Sequence, residues 1–550
     1  MMEIVDQSNC QFDRRRFLRR SAAAGLMLGA ARAGGAEDAP KKSGLVIGQA
    51  QGAAAGMRVL AEGGNAVDAA VAAALVAGVV AVPSCGIGGY GGHLLIGWPD
   101  GRVASIDFNS TAPAAAREDM YPLDERGRVR GEINLHGWLA AGVPGTLAGL
   151  QLALDRFGSR PLAQLIEPAI RFARDGFAVD AALARAIRGA ADHCQRDAGS
   201  ARLFFSTGRP LVEGETYRNP DLAAMLEQLA KDNSVAAFYT GTIAQHIARE
   251  FQRHGGLVTE QDLARYEARA VAPTSLAWRG ATIHTAPLTA GGLSVLQALA
   301  TLKALAWEHS DAADAKTTHA LVEALRLAWH DRLALLGDPD AGDVPVDRLL
   351  SKDYAEQAAD KVRKAVLERR LIAATTDRRS AGGTVHLTAV DGAGTMVALT
   401  LTHGEGFGAR ITVDGLGLVL GHGMSRFDPA AGLPNSPRPF RRPLNNMCPT
   451  IVFRAGRPVM AVGATGGRRI PNTLFTLLAH LVGRGAPLAE AHAAPRLHTE
   501  GDAALQLAKG WRATDADYLR QVGYTIQSGQ GANLNAIARD AETGTLDHVP

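Results

Sequence analysis

Residues 381–402 read AGGTVHLTAVDGAGTMVALTLT, and this stretch constrains the chain more than any other. Two runs alternate polar and apolar residues with a period of two, the signature of strands rather than helices. Asp391-Gly392 stands between them and suits a tight reversal. The runs at 384–390 and 395–402 are therefore expected to pair as an antiparallel hairpin. In the first, Thr384, His386 and Thr388 fall on one face and Val385, Leu387 and Ala389 on the other. Threonine favours strands anyway, so a half-exposed hairpin accounts for the pattern. A chemical alternative also exists. The Thr384 hydroxyl, behind Gly382-Gly383, can reach the preceding carbonyl. If it breaks the Gly383–Thr384 bond, it frees an α-amine of pKa about 7.7–8.0, able to act as base for the same hydroxyl.

The rest of the chain supplies the setting. With 550 residues, it has the length of two to four domains or one large one. Helical patterns cover 145–178, 221–253, 290–306 and 317–336, and an alternating strand covers 274–287. GGLVTEQDLARY (255–266) carries a helix start, with Thr259 as cap and Asp262 three residues on. The charged and polar segment 341–380 runs into TTDRRSAGG (375–383) and reads as an exposed, cleavable linker. Further β-like segments follow at 410–420, 449–454 and 458–463, then helices near 471–483 and 486–493. A helix-rich first part and a sheet-rich second part imply an α+β or layered α/β fold.

Residues 1–36 read as a twin-arginine export signal. Arg14-Arg15-Arg16-Phe17-Leu18 precede a short apolar segment, Ser21–Ala31, and small-residue exits. The expected location is periplasmic or secreted. Those residues hold six arginines and three acids, so without them the 58 basic and 55 acidic side chains become equal in number. That balance gives no support to a nucleic-acid or anionic-membrane partner. The longest apolar run, Ala69–Val82, falls short of the roughly 20 residues a bilayer crossing takes, and reads as a buried helix. Cys85, Cys194 and Cys448 remain beyond the signal, widely spaced and matching no zinc pattern.

GIGGYG (86–91) fits the dinucleotide fingerprint in letters only. That fingerprint follows a strand and opens a helix, whereas here a helix precedes and strand-like HLLIG follows. A tight glycine turn is the better reading.

Taken together, several blocks resemble the γ-glutamyltranspeptidases, self-cleaving N-terminal-nucleophile hydrolases. They are GGNAVDAAVAAALVAGVVAVPSCGIGGYGG (63–92), GVPGTLAGL (142–150), PLAQLIEPAIRFARDGF (161–177), GGLVTEQDLARY (255–266), GTVHLTAVD (383–391), RPLNNMCPTIV (442–452) and GATGGRRI (463–470), in the family's order. The resemblance implies a four-layer αββα sandwich, cut between Gly383 and Thr384 into a large chain (37–383) and a small chain (384–550). It implies Thr384 as nucleophile, Thr402 as its hydrogen-bond partner, and the Gly466-Gly467 amides as oxyanion hole, each donor worth about 3 kcal/mol. The glycine pair also reads simply as a tight strand-to-helix turn. No metal or organic cofactor is implied, and the partners are an amide substrate and the two chains of one precursor.

The chain departs from the family in the substrate clamp. Where the family holds a glutamyl α-carboxylate with an arginine and two serines, this sequence has Asn109 and Asn445-Asn446. Where it holds the α-amine, this sequence has Gly404, Gly423 and Arg426. Arginine has no acceptor for an ammonium group. Arg426 is thus either a surface arginine or, with Asn445 and Asn446, a binder of a carboxylate or carbonyl on an acyl group lacking the amine. The connection between Phe427 and Arg442 is shorter than in members with an active-site lid, which suits an open cleft. Three readings follow: γ-glutamyl hydrolysis or transfer, an acylase for a dicarboxylate monoamide or cephalosporin-type amide, and an inactive scaffold of the same fold.

Overall fold

Beyond Asp68 in its first turn, Ala66–Val80 is apolar on all sides and forms a helix, α1, buried at every position. A helix without a solvent face has to be enclosed by other layers. Asn65 caps it in a reciprocal box with Asp68, satisfying end groups that would otherwise be orphaned inside the protein. The computed structural model describes residues 44–205, 208–342, 344–372 and 383–550. The expected signal (1–36) and, apart from Gly383, the segment TTDRRSAGG lie outside the described residues. Lys42–Pro550 forms one compact unit.

Twelve strands build two sheets. In chain order they are β1 (Leu45–Ile47), β2 (Gly91–Gly97), β3 (Val103–Asp107), β4 (Arg269–Val271), β5 (Thr274–Trp278), β6 (Ala281–Thr285), β7 (Gly383–Val390), β8 (Met396–Gly404), β9 (Thr450–Arg454), β10 (Arg457–Thr465), β11 (Asn533–Arg539) and β12 (Leu546–Val549). The first sheet has the order β1-β7-β8-β2-β3-β4 and the second β12-β11-β10-β9-β6-β5. All neighbours are antiparallel. β7 and β8 pack face to face on β9, β10 and β11. Leu95, Val390, Met396, Ala398, Ile451, Phe453, Ala461 and Ile537 fill the space between the sheets.

The outer face of the first sheet carries α1 and α2 (Thr146–Phe157). The second carries α3 (Gly292–Ala304) and α5 (Arg469–Leu478), with α4 (Ala315–Leu335) packed on α3. The architecture is therefore α+β, a four-layer αββα sandwich. Residues on both sides of the Gly383–Thr384 bond interleave: the central pair β7–β8 is flanked by β1 and β2.

The alternation of β7 holds, with a different environment from a half-exposed hairpin. Val385, Leu387 and Ala389 join the helix-side core, while Thr384, His386 and Thr388 are buried as well, on the face turned to the second sheet. There His386 Nδ1 meets Thr400 Oγ1 at 2.7 Å, and the Thr388 hydroxyl donates to Asn535 Oδ1 at 2.8 Å. This polar row satisfies itself, as buried polar groups must.

Three expectations change. Residues 274–287 form not one strand but the hairpin β5–β6, reversed at Arg279 (φ 47°) and Gly280 (φ 71°), the paired positive φ of a primed turn. The polar segment 341–380 contains a helix, Lys352–Glu368, capped by Ser351 and burying Ala355, Ala358, Ala359, Val362 and Ala365. Its apolar stripe is made of small residues, which charge-rich neighbours mask. Residues 410–420 form only a short hairpin of Thr412–Val413 and Leu418–Val419. GIGGYG is the turn from α1 into β2, where a Cβ on Gly91 (φ 128°) would lie 1.9 Å from the Phe108 carbonyl oxygen.

Candidate active site

The β7–β8 register runs regularly from Met396–Val390 to Leu401–Val385, then jumps to Gly404–Gly383. Thr402 and His403 thus oppose Thr384 alone. Such a bulge bends its strand and re-aims a side chain. Here it brings two hydroxyls to one peptide bond. Thr384 Oγ1 donates to Thr402 Oγ1 at 3.3 Å, Thr402 donates to the Gly383 carbonyl oxygen, and the Gly404 amide donates to Thr402 Oγ1 at 2.7 Å. A hydroxyl has one proton and two acceptor sites, so Thr402 is fully used. Its proton polarises the carbonyl before Thr384, and its lone pairs hold Thr384 Oγ1 in place.

Thr384 and Thr402 line a cleft together with Tyr90, Gly404, Arg426, Asn446 and Gly467. Gly466 (φ 142°) and Gly467 (φ 61°) make the turn from β10 into α5, the geometry that turns amides away from a sheet ladder. Burial pushes the Tyr90 hydroxyl up to about 12, partly offset by the nearby Arg426 charge, so it is a neutral donor at physiological pH.

Arg426 is half-buried rather than a loose surface residue. Its Nη2 lies 3.0 Å from His422 Nε2, and His422 Nδ1 lies 3.1 Å from the Leu135 carbonyl oxygen. A guanidinium only donates and a carbonyl only accepts. His422 therefore carries its proton on Nδ1 and accepts from Arg426 through Nε2. Burial first, then Arg426, holds this imidazole well below its usual pKa, so it stays neutral and aligns the arginine. Gly404 (φ 101°) makes room for the pair: a Cβ there would lie 2.1 Å from the His422 ring and 3.2 Å from Arg426 Nη2.

The three asparagines separate. Asn446 faces the cleft. Asn445 is buried; its Nδ2 donates to His93 Nε2 at 2.9 Å and its Oδ1 accepts from the Met447 amide at 3.0 Å. Asn109 is wholly buried, with Nδ2 bonded to Thr289 Oγ1 and the Pro443 carbonyl. Both belong to the scaffold behind the cleft, where Arg442 pairs with Asp107 at 3.1 Å. Gly423 abuts Ser110 and Tyr90.

Sequence reasoning passed over Tyr90 and His422. Tyr90 sits inside GIGGYG and His422 four residues before Arg426, so proximity to those motifs was the available signal. Among the described residues, ligand atoms of Glu132, His136 and His193 lie within 4.8 Å of one another. Burial, then Arg410, lowers both imidazole pKa values, and that cation opposes a metal ion there. Cys85, Cys194 and Cys448 are free and buried.

Comparison with known proteins finds relatives along nearly the whole described chain. Residues 52–548 fit the family model described as Gamma-glutamyltranspeptidase. The chain is 36% identical over 457 residues to the glutathione hydrolase proenzyme of Escherichia coli strain K12, covering 80% of this chain and 78% of that one. It is 34% identical over 504 residues to the Acylase ACY 1 proenzyme of Pseudomonas sp. strain SE83, covering 90% and 89%. The solved cephalosporin acylase from Bacillus halodurans superimposes with a TM-score of 0.82 at 26% identity, over 95% of this chain and 97% of that chain.

Proposed function

The chain belongs to the γ-glutamyltranspeptidase family, and from that premise we propose that it is a self-processing amidohydrolase or acyltransferase whose nucleophile is Thr384. The observation that carries the reading is the Thr402 hydroxyl held between Thr384 Oγ1 and the Gly383 carbonyl. In maturation, Thr384 Oγ1 attacks the Gly383 carbonyl carbon, and the chain shifts from nitrogen to oxygen to give an ester. Water then hydrolyses that ester. Gly383 leaves as a carboxylate of the large chain, 37–383, and Thr384 becomes the first residue of the small chain, 384–550.

In turnover the freed amine takes the Thr384 hydroxyl proton as Oγ1 attacks the substrate amide carbonyl. The Gly466 and Gly467 amides stabilise the oxyanion. The amine returns the proton to the leaving nitrogen, and water or an acceptor amine releases the acyl group. The export pattern in residues 1–36 supports a periplasmic or secreted enzyme. Among the described residues no helix is long and apolar enough to cross a membrane.

The acyl group we assign is one bearing a carboxylate or carbonyl without an α-ammonium. Arg426, aligned by neutral His422 and given room by Gly404, supports this: it attracts an anion and repels an ammonium. Relatives named as acylases support an amide other than a γ-glutamyl one. Hydrolysis of glutaryl-p-nitroanilide against γ-glutamyl-p-nitroanilide tests the reading. Faster turnover of the glutaryl compound is expected, faster turnover of the glutamyl compound returns the chain to ordinary γ-glutamyl chemistry, and no turnover by uncut protein makes it a scaffold.

A further inference from the structure

Arg332, on α4, is buried and has no acidic partner among the described residues. It is 3% exposed. Nη2 donates to the Asn445 carbonyl oxygen at 2.6 Å and lies 3.5 Å from Asn446 Oδ1. Nη1 is buried without a hydrogen-bond partner. The guanidinium also lies 5.8 Å from the Trp329 ring. Buried arginines are ordinarily paired, because an uncompensated buried cation is strongly destabilising. Arg442, equally buried, shows the usual solution with Asp107. The nearest charged group acting on Arg332 is Arg468, itself paired with Glu500 at 2.5 Å, and burial first, then Arg468, pulls the Arg332 pKa down to about 10. It remains charged at neutral pH.

Its position gives that cost a use. Arg332 sits behind two cleft-lining elements: Asn446, and the Gly467-to-Ile470 turn that carries Arg468. Because a guanidinium only donates, the end of the Asn446 amide facing it must be the oxygen. The other end, Nδ2, is then left to the cleft as a donor, on the same wall system as Arg426. Both groups suit an acceptor, and the buried charge behind them favours an anionic one.

We propose that Arg332 is a positioning residue for acyl specificity: it orients Asn446 with Nδ2 towards the cleft and supplies the unbalanced positive charge that selects an acyl group ending in a carboxylate. The inference rests on the amidase reading above and deepens it. A purely structural role, tying the Asn445 carbonyl to α4, would affect charged and neutral acyl groups alike. The difference between them isolates the proposal.

The test is calorimetric titration of the purified mature protein with glutarate and with pentanoate, acids of equal chain length that differ in the distal carboxylate. The unaltered protein is expected to bind glutarate about tenfold or more tighter, the scale of one charge-assisted hydrogen bond. Arg332→Met should remove most of that preference while pentanoate binding stays within about twofold, and Arg332→Lys should restore part of it, since charge is kept and the fork is lost. An undiminished glutarate preference in Arg332→Met, equal weakening of both acids, or no preference in the unaltered protein overturns the proposal. If Arg332→Met does not fold, Asn446→Asp serves: it places a carboxylate at the donor position and should abolish the glutarate preference, whose persistence overturns the proposal. Titration needs no turnover, so failure of the amidase reading is seen separately, in the anilide assay.

Discussion

The hydroxyl of Thr402 donates to the carbonyl oxygen of Gly383, one residue before the proposed nucleophile. The contact depends on the β7–β8 bulge, which sets Thr402 and His403 against a single residue. One side chain therefore touches both the attacking hydroxyl and the carbonyl it attacks. Thr402→Val keeps the β-branched shape and removes the proton. We expect chain cleavage to slow by about 10²–10³-fold, the scale of losing one oxyanion donor, while Thr402→Ser stays near the original rate. A time course of band appearance on denaturing gels measures it; unchanged cleavage in Thr402→Val would remove Thr402 from the mechanism.

Gly404 and His422 cannot both carry side-chain atoms in the space between them. Gly404→Ala must displace the His422 ring and with it Arg426, and it strains a residue at φ 101° by about 1–2 kcal/mol. The expected outcome is a melting temperature lower by a few degrees, together with a raised KM for glutaryl-p-nitroanilide. A higher KM with no thermal shift would mean that the backbone relaxes freely there.

Reversing the charge at position 426 should reverse selectivity. In Arg426→Asp the carboxylate attracts an α-ammonium and repels a distal carboxylate. The ratio of kcat/KM for glutaryl over γ-glutamyl anilide is expected to fall by about 100-fold, two interactions changing sign at 1–2 kcal/mol each. A ratio that moves less than about twofold would place Arg426 outside substrate recognition.

His386 and His403 give a stability test. Burial holds both imidazoles down to about 3 from an ordinary 6.5. The unfolded chain therefore binds more protons than the folded one between those values, and stability rises with pH there. Each histidine should contribute fully above about 6.5 and lose about 1.4 kcal/mol per pH unit as pH falls towards 3. Thermal melts of Thr384→Ala and of Thr384→Ala/His403→Gln from pH 7 to 4.5 measure this. The double variant should show the shallower acid decline, and identical slopes would contradict the assignment.

The polar face of β7 was legible because Thr384, His386 and Thr388 alternate with apolar residues. What covers that face was not, since a period of two says nothing about the sheet opposite. The helix at Lys352–Glu368 was obscured because alanines make a weak apolar stripe among charges. The β5–β6 reversal at Arg279-Gly280 lacked the Asn-Gly or Asp-Gly usual for such turns. In the site, Thr384, Thr402, Gly467, Arg426 and Asn446 do converge on one cleft. Asn109 and Asn445 carry scaffold bonds instead, which only three-dimensional placement reveals. Arg332 could not be singled out, because what distinguishes it is that no acidic partner lies beside it among the described residues, and partners distant in sequence cannot be read along the chain.

On the proposed reading, Thr384 becomes a chain terminus. Intact-mass measurement and terminal sequencing of active, purified protein check this. Two polypeptides, the smaller beginning TVHLTAVD at Thr384 and both lost as separate species in Thr384→Ala, are the expected result. Activity residing in one continuous chain, or a cut at the same bond in Thr384→Ala, would contradict it.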